Sequence, residues 1–278
     1  MRSERQGLLA LLLVVAVWGT TFPAMKMMSA HLDALQIIWA RFAIALLVLA
    51  PLWRGLRRTE LRWGLLLGAL LFLAFWLQIE GLARTSSNRN AFVTGLNVLV
   101  VPLLAMAVLG RRYGAALWAA CAMALAGMVL MFHENEPWNL GDSLTLASTV
   151  FYAIYILALE ECTRRNLAFP LRATRMAAAQ ATVMALASTL LLVSRDGGMG
   201  WLLSTTRLSA DAWVALLYLG LLASVVVVTL QAWGQQRVDA MRSAIVFGLE
   251  PVFAALTAWA LLGEIGRASC RERVLRLV

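Results

Sequence analysis

Long apolar runs separated by short, arginine-bearing polar turns set the pattern of this chain. Nine runs reach the roughly 20 residues that an α-helix needs to cross a hydrocarbon layer about 30 Å thick. They predict spans over 7–28, 34–53, 62–83, 89–110, 113–132, 141–161, 171–194, 211–233 and 240–262, with the turn at 111–113 the least marked divider. The fold class expected from this is all-α, a polytopic membrane helical bundle. Composition agrees: 62% of residues are hydrophobic and 14% charged, against about 25% charged in a typical soluble domain.

Within that pattern the chain repeats itself. Residues 77–111 align without a gap on 230–264 at a constant offset of 153. Leu and Ala matches come cheaply here, so the weight rests on Gln78/Gln231, Gly81/Gly234, Arg84/Arg237, Arg89/Arg242, Gly95/Gly248 and Gly110/Gly263 falling in one register. The offset lays spans 3 and 4 on spans 8 and 9, so the unit is five helices and the expected architecture is an inverted five-plus-five repeat. An odd unit turns the second copy upside down in the membrane, which lets a site between the halves face either side in turn. The boundaries read as 1–133 for the first repeat, 134–264 for a second repeat of four helices, and 265–278 for a tail. The tail is too charged to span and, from about Glu264 onward, reads as a non-native fusion scar, leaving nine spans and the tenth helix missing.

Charge then sets the topology. The net charge is +9, but the arginines are scattered between spans rather than gathered on one aromatic-rich surface, so nucleic acid is not an expected partner. Fourteen basic residues, from Arg2 and Arg5 through Arg54, Arg111, Arg164 and Arg172 to Arg242, fall on the side of the N-terminus. Only Lys26, Arg84, Arg89, Arg195 and Arg207 fall opposite, so the N-terminus is expected to be cytoplasmic. Eight further spans follow the first, which is therefore expected to be an uncleaved helix rather than a signal peptide. Cys121, Cys162 and Cys270 lack disulfide or metal spacing, and His31 and His133 lack neighbouring ligands, so neither a metal nor a cofactor is expected.

Specific residues then carry a resemblance. The first span holds Trp18-Gly-Thr-Thr-Phe22-Pro23 and the second Ala40-Arg41-Phe42. The fourth holds Asn90-Ala-Phe-Val-Thr-Gly-Leu-Asn97 through to Pro102, and the ninth Leu249-Glu-Pro-Val-Phe, ending in Leu262-Gly-Glu264. Over residues 7–264 the chain resembles the drug/metabolite transporter superfamily, EamA type. The resemblance implies a ten-helix carrier of small metabolites such as amino acids, resident in a bacterial inner membrane. Arg111 departs from the family pattern, standing where the first copy commonly ends in Leu-Gly-Glu.

Ionisable side chains cost about 2.5–3.5 kcal/mol at mid-membrane on insertion scales, so each one is a functional candidate. Arg41 lies about 10 Å below the start of span 2 at 1.5 Å per residue, and Glu80 lies near the end of span 3. The two are expected to form a structural ion pair, or Arg41 to snorkel, with substrate chemistry as the other reading. Glu250 falls mid-span, just before Pro251, and its repeat partner is Asn97. Both read as substrate-pathway groups or as interhelical hydrogen bonds, because proline-freed carbonyls are tolerated in lipid only where buried or facing a cavity. A carboxyl at that depth suits proton coupling or amine binding. Trp18, Thr20 and Phe22, beside a Gly and Pro that can bend the first helix, and Tyr152 and Tyr155, one turn apart, read as pathway lining or core packing. Gln78 and Gln231 read as matching gate groups or interhelical glue.

Other classes lack their parts. There is no phosphate-gripping Gly-x-x-x-x-Gly-Lys motif for an ATP-driven pump, no nucleophile with a base for an enzyme, and no filter-like loop for a channel. The expected function is a secondary-active, alternating-access carrier of a small-molecule substrate in a lipid bilayer, an exporter of amino acids or related compounds. A multidrug exporter of lipophilic cations is the alternative.

Overall fold

A computed structural model of the chain describes residues 2–131, 137–166, 171–202, 205 and 207–262. His133, Cys270, Glu264 and the expected tail lie outside the described residues. The described chain is helical: α1 Arg2–Met28, α2 Ala34–Leu49, α3 Arg58–Arg84, α4 Ser87–Gly95, α5 Asn97–Leu109, α6 Ala115–Met131, α7 Leu140–Arg165 and α8 Ala173–Asp196. There follow α9 Ala210–Gln235, α10 Ala240–Phe247 and α11 Glu250–Leu262. Among the described residues eight segments are long and apolar enough to cross a membrane, with α4–α5 and α10–α11 each acting as one. The fifth expected span is the shorter apolar helix α6.

Caps fix where these helices begin. Asp33 and Asn139 each close a capping box on the first turn of α2 and α7, and Ser86, Ser209 and Asp239 accept from the backbone of α4, α9 and α10. Such caps supply partners for amides that have none inside the helix.

Polar ties define two ends of the bundle. At one, termed proximal, Glu60 at the start of α3 accepts from the Arg172 amide at the start of α8 (3.1 Å). There Gln236 after α9 donates to Leu171 O (3.1 Å), and Glu160 near the end of α7 pairs with Arg111 (2.6 Å) and accepts from the Ala240 amide at the start of α10 (3.2 Å). Arg242 of α10 pairs there with Glu4 of α1. At the distal end Lys26 donates to Leu82 O and Thr85 O (2.8 and 2.9 Å), tying the end of α1 to the end of α3. Asp142 at the start of α7 accepts from Thr85 (3.0 Å) and pairs with Arg89 of α4 (2.7 Å), while Asp33 before α2 pairs with Arg195 of α8 (2.9 Å).

Directions follow from these ties. α3 runs proximal to distal whereas its repeat partner α9 ends at the proximal side; α4–α5 runs distal to proximal whereas α10–α11 starts proximally. The two copies are inverted. Their contacts are inverted as well. Arg89–Asp142 joins α4 to α7 distally, and Arg242, its partner at offset 153, meets Glu4 of α1 proximally. Gly81 lets α3 approach α7, where a Cβ on Gly141 would stand 2.8 Å from Gly81 O. Gly234, the repeat partner of Gly81, does the same between α9 and α1, where a Cβ on Gly7 would stand 3.1 Å from Gly234 O.

Both inner spans break at the repeat-matched place. Leu96 takes φ −60°, ψ −7° between α4 and α5, and Gly248 takes φ −59°, ψ −13° between α10 and α11, so each helix tightens and restarts. The breaks touch at the centre: a Cβ on Gly248 would lie 3.4 Å from Val98 Cβ. Pro102 cannot donate to Val98 O, and the Cys121 thiol of α6 donates there instead (3.3 Å). Cys121→Val is therefore expected to cost about 1 kcal/mol and Cys121→Ser less, read as thermal stability in detergent; equal melting of the two variants would reject that role.

Three expectations change. α1 runs unbroken through Pro23, and Gly19 serves close approach rather than a break, since a Cβ there would lie 2.7 Å from the Ala254 amide nitrogen. Trp201, whose place in the connection between two expected spans reads from the sequence as an interfacial anchor, is instead buried edge-on against Trp39 (4.6 Å). The expected Arg41–Glu80 pair does not form: Glu80 is half-exposed and pairs with Arg84 one turn along its own helix, while Arg41 points into the bundle.

Candidate functional site

A narrow cavity, with about 30 Å³ open to the centres of water molecules, lies beside the broken helices, lined from α1, α2, α3, α4, α7 and α11. Its walls are apolar and aromatic: Trp18, Phe22, Met25, Ala74, Phe75 and Tyr152. Its polar groups are Thr21, Arg41, Gln78, Thr94, Ser148 and Glu250. Arg41, Gln78 and Ser148 stand seven, six and eight residues from the distal ends of their helices, about 9–12 Å at 1.5 Å per residue. The cavity therefore occupies the distal half of the bundle.

Two ionisable side chains line it. Arg41 is 2% exposed. Its Nε donates to Ser224 Oγ (2.8 Å), one Nη contacts Met25 Sδ (3.6 Å), and the guanidinium lies over Phe42 and Phe75 (5.4 and 5.1 Å to the ring centres). Among the described residues no carboxylate pairs with it. Ser224 is placed by a π-helical stretch, Tyr218–Val226, within α9, where its hydroxyl donates back to Leu219 O (2.8 Å); such widened turns re-aim side chains. Glu250 is 6% exposed and opens α11, where the break turns it into the cavity. No described donor reaches its carboxylate. The Trp18 indole N–H is also buried without a partner among the described residues. Buried polar atoms are ordinarily paired, so this wall presents a guanidinium, a carboxyl group and an indole N–H to an occupant.

On its proximal side the cavity meets a packed floor. Trp18 meets Tyr152 and Phe247 (5.8 Å each), Tyr152 meets Phe247 (5.9 Å), and Tyr155 stacks beneath Tyr152 (5.6 Å, 11° between planes). Gln231 Nε2 donates to the Tyr152 hydroxyl (2.6 Å), and the Tyr155 hydroxyl donates to Gln180 (3.1 Å).

Of the residues singled out in the sequence, Trp18, Phe22, Gln78, Tyr152 and Glu250 share the cavity wall. Thr20 turns away, donating to Val17 O (2.6 Å) and meeting the Tyr218 hydroxyl. Asn97 donates to Thr94 O (3.0 Å) across the break of its own span, so it parts from Glu250. Tyr155 and Gln231 lie in the floor. Thr21, Met25, Ala74, Phe75, Thr94 and Ser148 join the wall unannounced, yet helical spacing locates several of them: Thr21 and Met25 follow Trp18 by three and seven, Phe75 precedes Gln78 by three, and Ser148 precedes Tyr152 by four.

Comparison with known proteins agrees with this architecture. An uncharacterised transporter from Archaeoglobus fulgidus is 27% identical over 259 residues, covering 92% of this chain and 78% of that protein. A solved crystal structure of a protein superposes with a TM-score of 0.72 at 16% identity, over 96% of this chain and 91% of its own, which speaks to the fold alone. The EamA-like transporter family matches residues 5–133 and, a second time, 139–266. With two family units lying head to tail and a cavity holding buried ionisable groups beside their broken helices, the chain belongs to the EamA-like transporter family and is an integral membrane protein.

Proposed function

We propose that this protein is a secondary carrier that exports small zwitterionic metabolites, amino acids foremost, by alternating access. The observation that carries the reading is the coexistence of Arg41 and Glu250, both more than nine-tenths buried and neither paired with a charge among the described residues, in one aromatic-walled cavity. An α-carboxylate fits the planar fork of Arg41 and an α-ammonium fits Glu250, with the side chain against Trp18, Phe22 and Phe75. A zwitterion supplies both missing partners at once, whereas a lipophilic cation would satisfy Glu250 and meet repulsion from Arg41. The inverted halves and the closed proximal floor support a site that faces one compartment at a time. In this reading residues 1–133 and 134–264 are the two repeats, 265–278 is a non-native tail, and the arginine-rich proximal end faces the cytoplasm of a bacterial inner membrane. Glu250 is the residue through which proton coupling would act.

The test is counterflow in proteoliposomes. Unlabelled neutral amino acids inside are expected to accelerate entry of labelled leucine or phenylalanine, and tetraphenylphosphonium is not. Acceleration by the cation alone would replace this reading with multidrug efflux.

A further inference from the structure

Repeat-equivalent residues occupy different states at the two ends. Gln78 lines the cavity and donates to Thr94 of the next span in its own half (3.1 Å). Its partner at offset 153, Gln231, instead reaches from α9 to Tyr152 on the cavity floor (2.6 Å). The same contrast recurs on a second pair of helices: Arg41 stands seven residues into α2 and lines the cavity, while Gln180 stands seven residues into α8 and accepts from Tyr155 (3.1 Å). Where the distal half has open wall, the proximal half has a glutamine locked to one of two stacked tyrosines of α7.

We propose that Gln231–Tyr152 and Gln180–Tyr155 form the latch that holds the proximal side closed, and that its release, rather than movement of the cavity wall, admits the opposite compartment. The latch is built to let go. Gln231 Oε1, Gln180 Nε2 and Gln235 Nε2 are buried with no partner among the described residues, so water entering from the proximal side gains three unmet groups as the tyrosines part. Tyr152 is also cavity wall, which places the latch in contact with whatever occupies the site. In the inverted conformer the pseudo-symmetry gives the bridging role to the distal end, with Gln78 as the counterpart of Gln231. This inference rests on the carrier reading, and its test is read separately.

The background carries Cys121→Ser, Cys162→Ser and Cys270→Ser, with Ser148→Cys placing one thiol in the cavity. A membrane-impermeant methanethiosulfonate is applied from either face of sealed vesicles. Gln231→Leu and Gln180→Leu are expected to raise the modification rate from the proximal face at least fivefold, as is Tyr152→Phe, which removes only the hydroxyl. Thr189→Ala, whose hydroxyl bonds to Ala185 O of its own helix, is expected to leave it unchanged. Unchanged proximal rates in the folded latch variants, an equal rise in Thr189→Ala, or failure of all three latch variants to fold would each overturn the latch. Absence of amino-acid counterflow in the parent protein would overturn the carrier reading instead, whatever the thiol reports.

Discussion

Glu250→Gln is expected to raise the KM for a neutral amino acid in counterflow by about ten- to a hundredfold. A hydrogen bond to a charged group is worth about 1.5–3 kcal/mol, and each 1.4 kcal/mol is tenfold in affinity. The amide keeps the size of the side chain and loses the charge, so the α-ammonium loses its counter-ion while the fold keeps its packing. The companion change is Arg41→Gln, with a similar loss through the α-carboxylate. Analogues separate the two. In Glu250→Gln, a ligand with the carboxylate but no amine should compete as well as it does against the parent; in Arg41→Gln, the decarboxylated amine should. Equal losses for every analogue in both variants would mean that neither charge touches the ligand and that the cavity is not the binding site.

How much of this was legible in the sequence follows from what a helix reveals without its neighbours. Apolar run length and the offset of 153 locate the spans and their inversion, because both depend on position along one chain. Rotation of a helix about its axis is different. Arg41 and Glu80 share a depth near the distal end, and depth alone pairs them; the structure turns Arg41 inward toward Ser224 and gives Glu80 to Arg84 on the outer face. Asn97 and Glu250 are repeat partners and stand at matching breaks, yet one caps its own chain and the other enters the cavity, since the two halves are in different conformations. Symmetry in the sequence predicts equivalent places, and asymmetry of state decides which member of each pair lines the cavity. The π-helical stretch that aims Ser224 at Arg41 has no marker in its apolar surroundings, Tyr218 to Val226.

Gly81→Val is expected to abolish accumulation of folded protein, and Gly81→Ala to cost about 1–3 kcal/mol, the usual range for overpacking. A Cβ at Gly81 would stand 2.4 Å from Thr145 Oγ1, 2.7 Å from Gly141 O and 3.1 Å from the Thr145 amide nitrogen. Two of those three atoms are backbone of α7, so relief requires the whole helix to retreat from α3. Retreat would loosen the neighbouring distal ties, in which Asp142 holds Arg89 and Thr85, and Asn90 donates to Thr145 (2.7 Å). The repeat partner supplies the control. A Cβ at Gly234 would meet mainly the Leu11 side chain, at 2.9 and 3.0 Å, with Gly7 O at 3.2 Å, and a leucine can change rotamer where a helix backbone cannot yield. Gly234→Ala should therefore melt closer to the parent than Gly81→Ala in a detergent thermal-shift measurement. The reverse order would show that the α3–α7 contact is looser than its partner between α9 and α1, and that the distal ties do not depend on it.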